Sequence, residues 1–169
     1  MINSKEMLCV VDEYDNPIKP RPRHETFKKG LWRRTAHVWI INSKNQILCQ
    51  QRSFKKDMSP GMWEATVAGH LSPGEDYFEG AAREATEETQ LSIKKSDLTL
   101  VKIYKDHKRR EYRGVFYLRK DISLDQIKSE EDEVAQVKLV HAKTVKKNLE
   151  NHPEWISQDY QNEMFLIFN

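Results

Sequence analysis

Gly69–Leu91, GHLSPGEDYFEGAAREATEETQL, joins a Gly/Pro turn to a short acidic helix. Ser72-Pro73-Gly74 supplies the turn. Glu75 and Asp76 follow, where carboxylates suit the positive end of a helix dipole. Phe78, Ala81, Ala82, Ala85 and Thr89 recur at helical spacing, which predicts one face packed on a core. At about 100° per residue, Glu84, Glu87 and Glu88 share an arc of roughly 100° beside that face. Glu84 and Glu88 are i, i+4 neighbours, and like charges at that spacing repel by a few tenths of a kcal/mol. A cation would reverse that cost. Oxygen-only ligands suit a hard cation, Mg²⁺ or Mn²⁺, over zinc. By themselves the residues also allow a solvated acidic face with Arg83 paired to Glu79 or Glu87.

Working outward, 169 residues read as one domain, 1–169, large enough for a real core. With 38% hydrophobic and 32% charged residues the chain is polar but not disordered. A net charge of +2 argues for no nucleic-acid or membrane partner. Cys9 and Cys49 sit in strand-like apolar runs without CxxC spacing, which predicts reduced core thiols in a cytoplasmic protein. The start, MINSKEMLCV, lacks a secretory apolar region, and no apolar run approaches membrane-spanning length. Repeats and linkers are absent, and nothing in the sequence signals an oligomeric state.

Met7 to Asp12 is a short apolar run ending in the turn Asp15-Asn16-Pro17. Pro20, Arg21, Pro22 and Arg23 read as an extended basic connection, either a phosphate contact or a solvated linker. Arg34 to Ile41 and Ile47 to Gln51 read as a hairpin, and Trp63 to Ala68 as a third strand leading into the acidic helix. Leu98 to Tyr104, Glu111 to Leu118 and Val134 to Val140 are further strands. The basic tip Lys105 to Arg110 joins the first two and could meet phosphates or solvent. Leu124 to Ile127 is a helical turn, and Ala142 to Glu150 and Pro153 to Met164 are closing helices. Strands, one helix, more strands and terminal helices predict an α/β architecture.

The full acidic spacing is G-x5-E-x7-R-E-A-x-E-E-x-Q-L. It resembles the signature of the Nudix hydrolase superfamily, G-x5-E-x7-R-E-U-x-E-E-x-G-U, at Gly69, Glu75, Arg83, Glu84, Glu87, Glu88 and Leu91. The resemblance implies a Nudix-like α/β/α sandwich, a mixed sheet between helices, with the Nudix box at 69–91. Two positions depart. Gln90 stands where a glycine would give a left-handed cap, so it is expected to end the helix differently, at about 1 kcal/mol. Ala85 stands where a larger aliphatic is usual.

The run ILCQQRSFKKDMSPGMWEATVAGHLSPGE resembles the branch related to type I isopentenyl-diphosphate isomerase, through K-x-x-x-P-G-x-W from Lys56 to Trp63 and the pair Gly69-His70. That isomerase has a cysteine just before the G-H pair, where this chain has Ala68, which cannot shuttle a proton. Arg33 falls near where the isomerase has a metal-binding histidine. The resemblance therefore implies a hydrolase on the isomerase's scaffold, acting on a small-molecule diphosphate. An isomerase, or a binding module with little turnover, are the alternatives.

By the same resemblance Glu84 and Glu88 would hold Mg²⁺, or Mn²⁺, with Glu87 completing the shell or holding a second ion and Gly69 giving its carbonyl. Glu84, or else Glu87, would be the base, and Glu130, Glu131 and Glu133 are candidates on a later loop. Arg83 would fix a glutamate's rotamer and Glu75 would tether loop to helix. Arg52 could hold a phosphate oxygen or end its strand in an ion pair. His70 could contact substrate or serve as a structural histidine. The expected pocket walls are the loops Pro20 to Lys29, Ser53 to Pro60 and Lys105 to Arg110, with Phe27 and Phe54 suited to stacking on a base.

Overall fold

The computed structural model describes residues 6–168 apart from 57–58, 66, 128–131, 133 and 152–157. Its centre is strand β3, Arg33–Ile41 (β1 and β2 are the two-residue strands Met7–Leu8 and Arg21–Pro22, paired with each other). β3 is buried along nearly its whole length, which fits a β-branched and aromatic strand covered on both faces. The parallel strand β8, Glu111–Arg119, lies on one side of it, and the antiparallel strand β7, Leu98–Asp106, lies beyond. On the other side β3 meets two strands. Its first half pairs with β6, Val67–His70, and its far end pairs with β4, Gln46–Arg52. β4 in turn pairs with β5, Trp63–Glu64, and with β9, Val134–His141.

The third strand predicted over Trp63 to Ala68 is thus two strands with different partners. Leaving β4 at Glu64 and rejoining the sheet on β3 at Val67, the chain leaves a gap between β4 and β6. Helix α2, Tyr77–Thr89, packs on this side. Ala81, Ala82 and Ala85 seat it on Ala36, Val38, Ile40 and Phe116. Small residues let the helix approach the sheet closely, which is the use of Ala85.

The ends of α2 are well specified. Asp76 accepts from the Glu79 N–H at 2.7 Å, and the Glu79 carboxylate accepts from the Asp76 N–H at 3.0 Å, a reciprocal capping box. At the other end Gln90 adopts φ 60° and ψ 17°, the left-handed cap itself. The expectation that Gln90 ends the helix differently from glycine is therefore corrected. Its side chain offsets part of the strain, since Nε2 donates to the Glu87 carbonyl at 2.8 Å.

The extended connection expected over Pro20 to Arg23 ends at Pro22. Arg23–Lys28 is helix α1, which carries no apolar periodicity and is anchored by buried Thr26, whose hydroxyl donates to the Pro22 carbonyl at 3.1 Å.

Helices α3, Ala142–Asn151, and α4, Gln158–Phe168, cover the opposite face over Trp39, Ile41, Ile47, Cys49 and Val115. The result is the α/β/α sandwich expected, with a mixed seven-stranded sheet. Residues 153–157 of the last predicted helix lie outside the described residues.

This second face also buries charge. Arg33 donates to Glu111 at 2.7 Å, and Arg113 reaches Glu111 and Asp106, both at 3.0 Å. Glu163 of α4 is fully buried. It accepts from the Trp39 indole at 3.1 Å and the Tyr104 hydroxyl at 3.2 Å, with His37 Nδ1 at 2.7 Å and Arg113 Nη1 at 3.7 Å. Among the described residues no helix is long and apolar enough to cross a membrane.

Candidate active site

The gap between β4 and β6 is where the acids of α2 arrive. Glu84 lies against β6: a Cβ built on Gly69 would fall inside the van der Waals shell of the Glu84 carboxyl group. Only glycine admits that approach. Four residues on, Glu88 spans the gap. It accepts from Gln50 of β4 at 2.9 Å and from the Ala68 N–H of β6. Burial pushes the Glu88 carboxyl up to about 8, helped by Glu84 and Glu64 and opposed by the Gln50 and Ala68 hydrogen bonds. Burial also raises Glu84, against the pull of Arg83. Glu87 is different: its side chain is 60% exposed, against 14% for Glu84.

Arg83 is the hub of this set. Its guanidinium binds both oxygens of Glu75, at 2.7 and 3.0 Å, and reaches Glu84 at 2.8 Å, Glu87 at 3.0 Å and the His70 carbonyl at 3.0 Å. Glu75 also accepts from the Ser72 N–H at 2.7 Å, so it ties turn to helix. Burial works to raise Glu75 and is outweighed by these donors, which hold it below the usual carboxylate range. The simpler pairing of Arg83 with Glu79 is not formed, because Glu79 is taken by the capping box and by Lys95 at 2.9 Å.

His70 is held as a neutral imidazole. Burial, then Arg23 and Arg33, keep it well below its ordinary value. Arg33 Nε donates to its Nε2 at 3.1 Å, so the Nε2 lone pair is engaged. Phe27 meets the imidazole edge-on, with centroids 5.6 Å apart. Arg52 lies across the gap on β4 and pairs with Glu64 at 2.9 Å.

The side chains that α2 brings to the gap are the carboxylates of Glu84 and Glu88. That chemistry fits a hard divalent cation, whose charge would offset the burial that raises both carboxyls. Among the described residues no three His, Cys, Asp or Glu side chains are already gathered as a metal cluster. Arg83 holds Glu84 and Glu87, and Gln50 holds Glu88, so these side chains would turn to take an ion. Glu130, Glu131 and Glu133 lie outside the described residues. Of the three expected walls, α1 brings Phe27 to the site. At the basic tip, Lys105 instead stacks over Trp32 at 4.5 Å and donates to the Glu13 carbonyl at 2.6 Å.

Two residues beside the acids are not singled out by sequence, Gln50 and Glu64. They are paired across β4 and β5, and both border Glu88. Their signal is a polar residue where the strand alternation expects an apolar one, Gln50 two places after Leu48. Recognising it requires the pairing of β4 with β5, which spacing alone does not give.

A mixed sheet between helix layers, with an Arg-Glu helix packed on the glycine of the preceding strand, defines a Nudix-type domain. Residues 31–159 match the NUDIX domain family, and the chain belongs to it. It is 36% identical over 83 residues to an uncharacterized Nudix hydrolase of Pseudomonas aeruginosa, 49% of each chain. It is 39% identical over 84 residues to an isopentenyl-diphosphate Delta-isomerase of Pectobacterium atrosepticum, 50% of this chain and 47% of that one. The match to both kinds of relative agrees with the branch resemblance. The chain spans about half the length of these curated relatives. In fold it is similar to the crystal structure of DR0079 from Deinococcus radiodurans, with a TM-score of 0.80 at 20% identity, covering 97% of this chain and 100% of that one.

Proposed function

We propose that the chain is a Mg²⁺-dependent hydrolase that cleaves the diphosphate bond of a nucleoside diphosphate or of a diphosphate linked to another group. One observation supports this above the others. The Glu84 carboxylate lies against Gly69, with the Glu88 carboxyl, raised to about 8, across the same gap. Such a pair is costly without a cation and well suited to one.

Glu84, Glu88 and the Gly69 carbonyl would hold Mg²⁺ or Mn²⁺, with Glu87, the most exposed, completing the shell or holding a second ion. When bound, the ion lowers the pKa of a water and offsets phosphate charge. Glu84 takes the proton of the attacking water, and Glu87 is the second choice. Water oxygen bonds to phosphorus as the anhydride P–O bond breaks. Arg83 and Glu75 position the glutamates. Arg52, at the gap on β4, binds a phosphate oxygen in place of Glu64. His70 acts by support, through its carbonyl on Arg83 and its ring on Phe27. An isomerase is disfavoured because Ala68 has no titratable group and Arg33 engages the His70 lone pair.

The test is product analysis on nucleoside diphosphates, triphosphates, other diphosphate-linked compounds and isopentenyl diphosphate, with Mg²⁺, Mn²⁺ or chelator. Metal-dependent cleavage of one class, lost in Glu88→Gln, is expected. Cleavage that survives chelation or Glu88→Gln overturns the assignment. Ligand binding without product identifies a binding module, and rearranged isopentenyl diphosphate on carbon NMR identifies an isomerase.

A further inference from the structure

Glu84 meets its glycine on β6, and β6 is thinly secured. It has four residues, pairs with β3 along one edge and faces the gap along the other. So short a strand with an open edge is weakly held by its ladder bonds alone. Its position is decided at His70, one residue after Gly69. Directly opposed residues of an antiparallel pair share a face, and successive residues alternate between faces. Gly69 stands opposite Ala36, on the α2 face, and His70 stands opposite Thr35, on the other face with Arg33. The residue is therefore gripped from both sides of the sheet. From the α2 side Arg83 donates to its carbonyl at 3.0 Å while binding Glu84 at 2.8 Å. From the other side Arg33 Nε donates to its ring at 3.1 Å.

Arg33 is itself immobilised. It is 4% exposed, its Nη2 donates to Glu111 at 2.7 Å, and its guanidinium carbon lies 4.1 Å from the centre of the Phe27 ring. The planar guanidinium fixes the angle between its donors, so Nε aims at His70 once Nη2 is anchored on Glu111. A lysine in its place would keep a cation beside Glu111 and lose the directed Nε donor.

Resting on the hydrolase reading of this site, we propose that Arg33 is a positioning residue for it. Through the His70 ring Arg33 holds β6 at the level where Gly69 admits Glu84 and Arg83 takes the His70 carbonyl. It thereby sets the arrangement of Glu84 without touching substrate or metal.

Three variants test this: Arg33→Lys, His70→Ala and the two combined. Mn²⁺ binding, followed by electron paramagnetic resonance, is expected to weaken about tenfold in each. The double variant is expected to match His70→Ala within about twofold, because Arg33 acts through that ring. Hydrogen exchange of segment 67–71 should quicken in all three, while exchange of β8 and the unfolding midpoint of Arg33→Lys stay at the parent's values. On a diphosphate that the parent cleaves, kcat should fall about tenfold in Arg33→Lys with KM within about twofold. The proposal is overturned if Arg33→Lys keeps the parent's exchange over segment 67–71, or if β8 quickens as much as that segment. It is also overturned if the double variant loses the product of the two single losses. A parent that cleaves no diphosphate while its variants show the expected exchange and Mn²⁺ shifts fails the hydrolase reading and leaves this one standing. A parent that cleaves, with Arg33→Lys turning over equally fast, does the reverse.

Discussion

A methyl group at position 69 meets the Glu84 carboxyl, so Gly69→Ala must displace either the strand or the glutamate. Overpacking of this kind costs about 1–3 kcal/mol. Chemical denaturation should show that loss, and Mn²⁺ affinity should fall about tenfold or more with it. Glu88 gives a pH signature. Below about pH 4.5 the carboxyl is protonated in folded and unfolded chains alike, and stability is unaffected. From there to about pH 8 the unfolded chain ionises while the folded one keeps its proton, so the contribution of Glu88 to the stability of the metal-free protein falls as pH rises. Urea midpoints in chelator should fall across that window for the parent relative to Glu88→Gln, a difference in which the opposing contribution of His70, lowered by burial, cancels. Added Mg²⁺ should reverse the fall while releasing protons.

At the scale of elements, α2 carries its own specification, and the sequence shows most of it. The turn at Ser72-Pro73-Gly74, the acids at its start and the alanine stripe are all local signals. Its end is not legible in the sequence because a left-handed glutamine costs little enough for the other contacts of the helix to override. Gln90→Gly should relieve about 1 kcal/mol of that strain, less the side-chain bond to Glu87, and raise the melting temperature by at most roughly 2 °C. Helix α1 leaves no signal in the sequence because RHETFK has no apolar period and is held by neighbours. The break between β5 and β6 was hidden for a related reason. Trp63 to Ala68 has strand propensity throughout, and only the competition between β4 and β3 as partners divides it.

The whole molecule has a core on each side of its sheet and one thiol in each. Cys9 lies in the α2 layer and Cys49 in the layer under α3 and α4. Burial raises both thiols, Cys49 up to about 12. Neither should react with an aromatic disulfide reagent in the folded protein at about pH 8. Because β3 supplies both layers, both should become reactive in one urea transition; earlier labelling of Cys49 would show the helical layer opening separately. The sequence reveals the two layers through the apolar run of β3 but not the charges between them, since Arg33, Glu111, Arg113 and Glu163 read singly as surface residues. Their meeting depends on the parallel register of β3 with β8 and on the docking of α4.

That meeting also sets a timetable for synthesis. Arg113 and the His37 ring leave the ribosome some fifty residues or more before Glu163, the fully buried carboxylate they share. A buried charge with its partner removed is destabilising by about 3–5 kcal/mol. While the nascent chain ends short of α4, the half of the sheet beneath it stays open to water, and its burial follows the emergence of that helix.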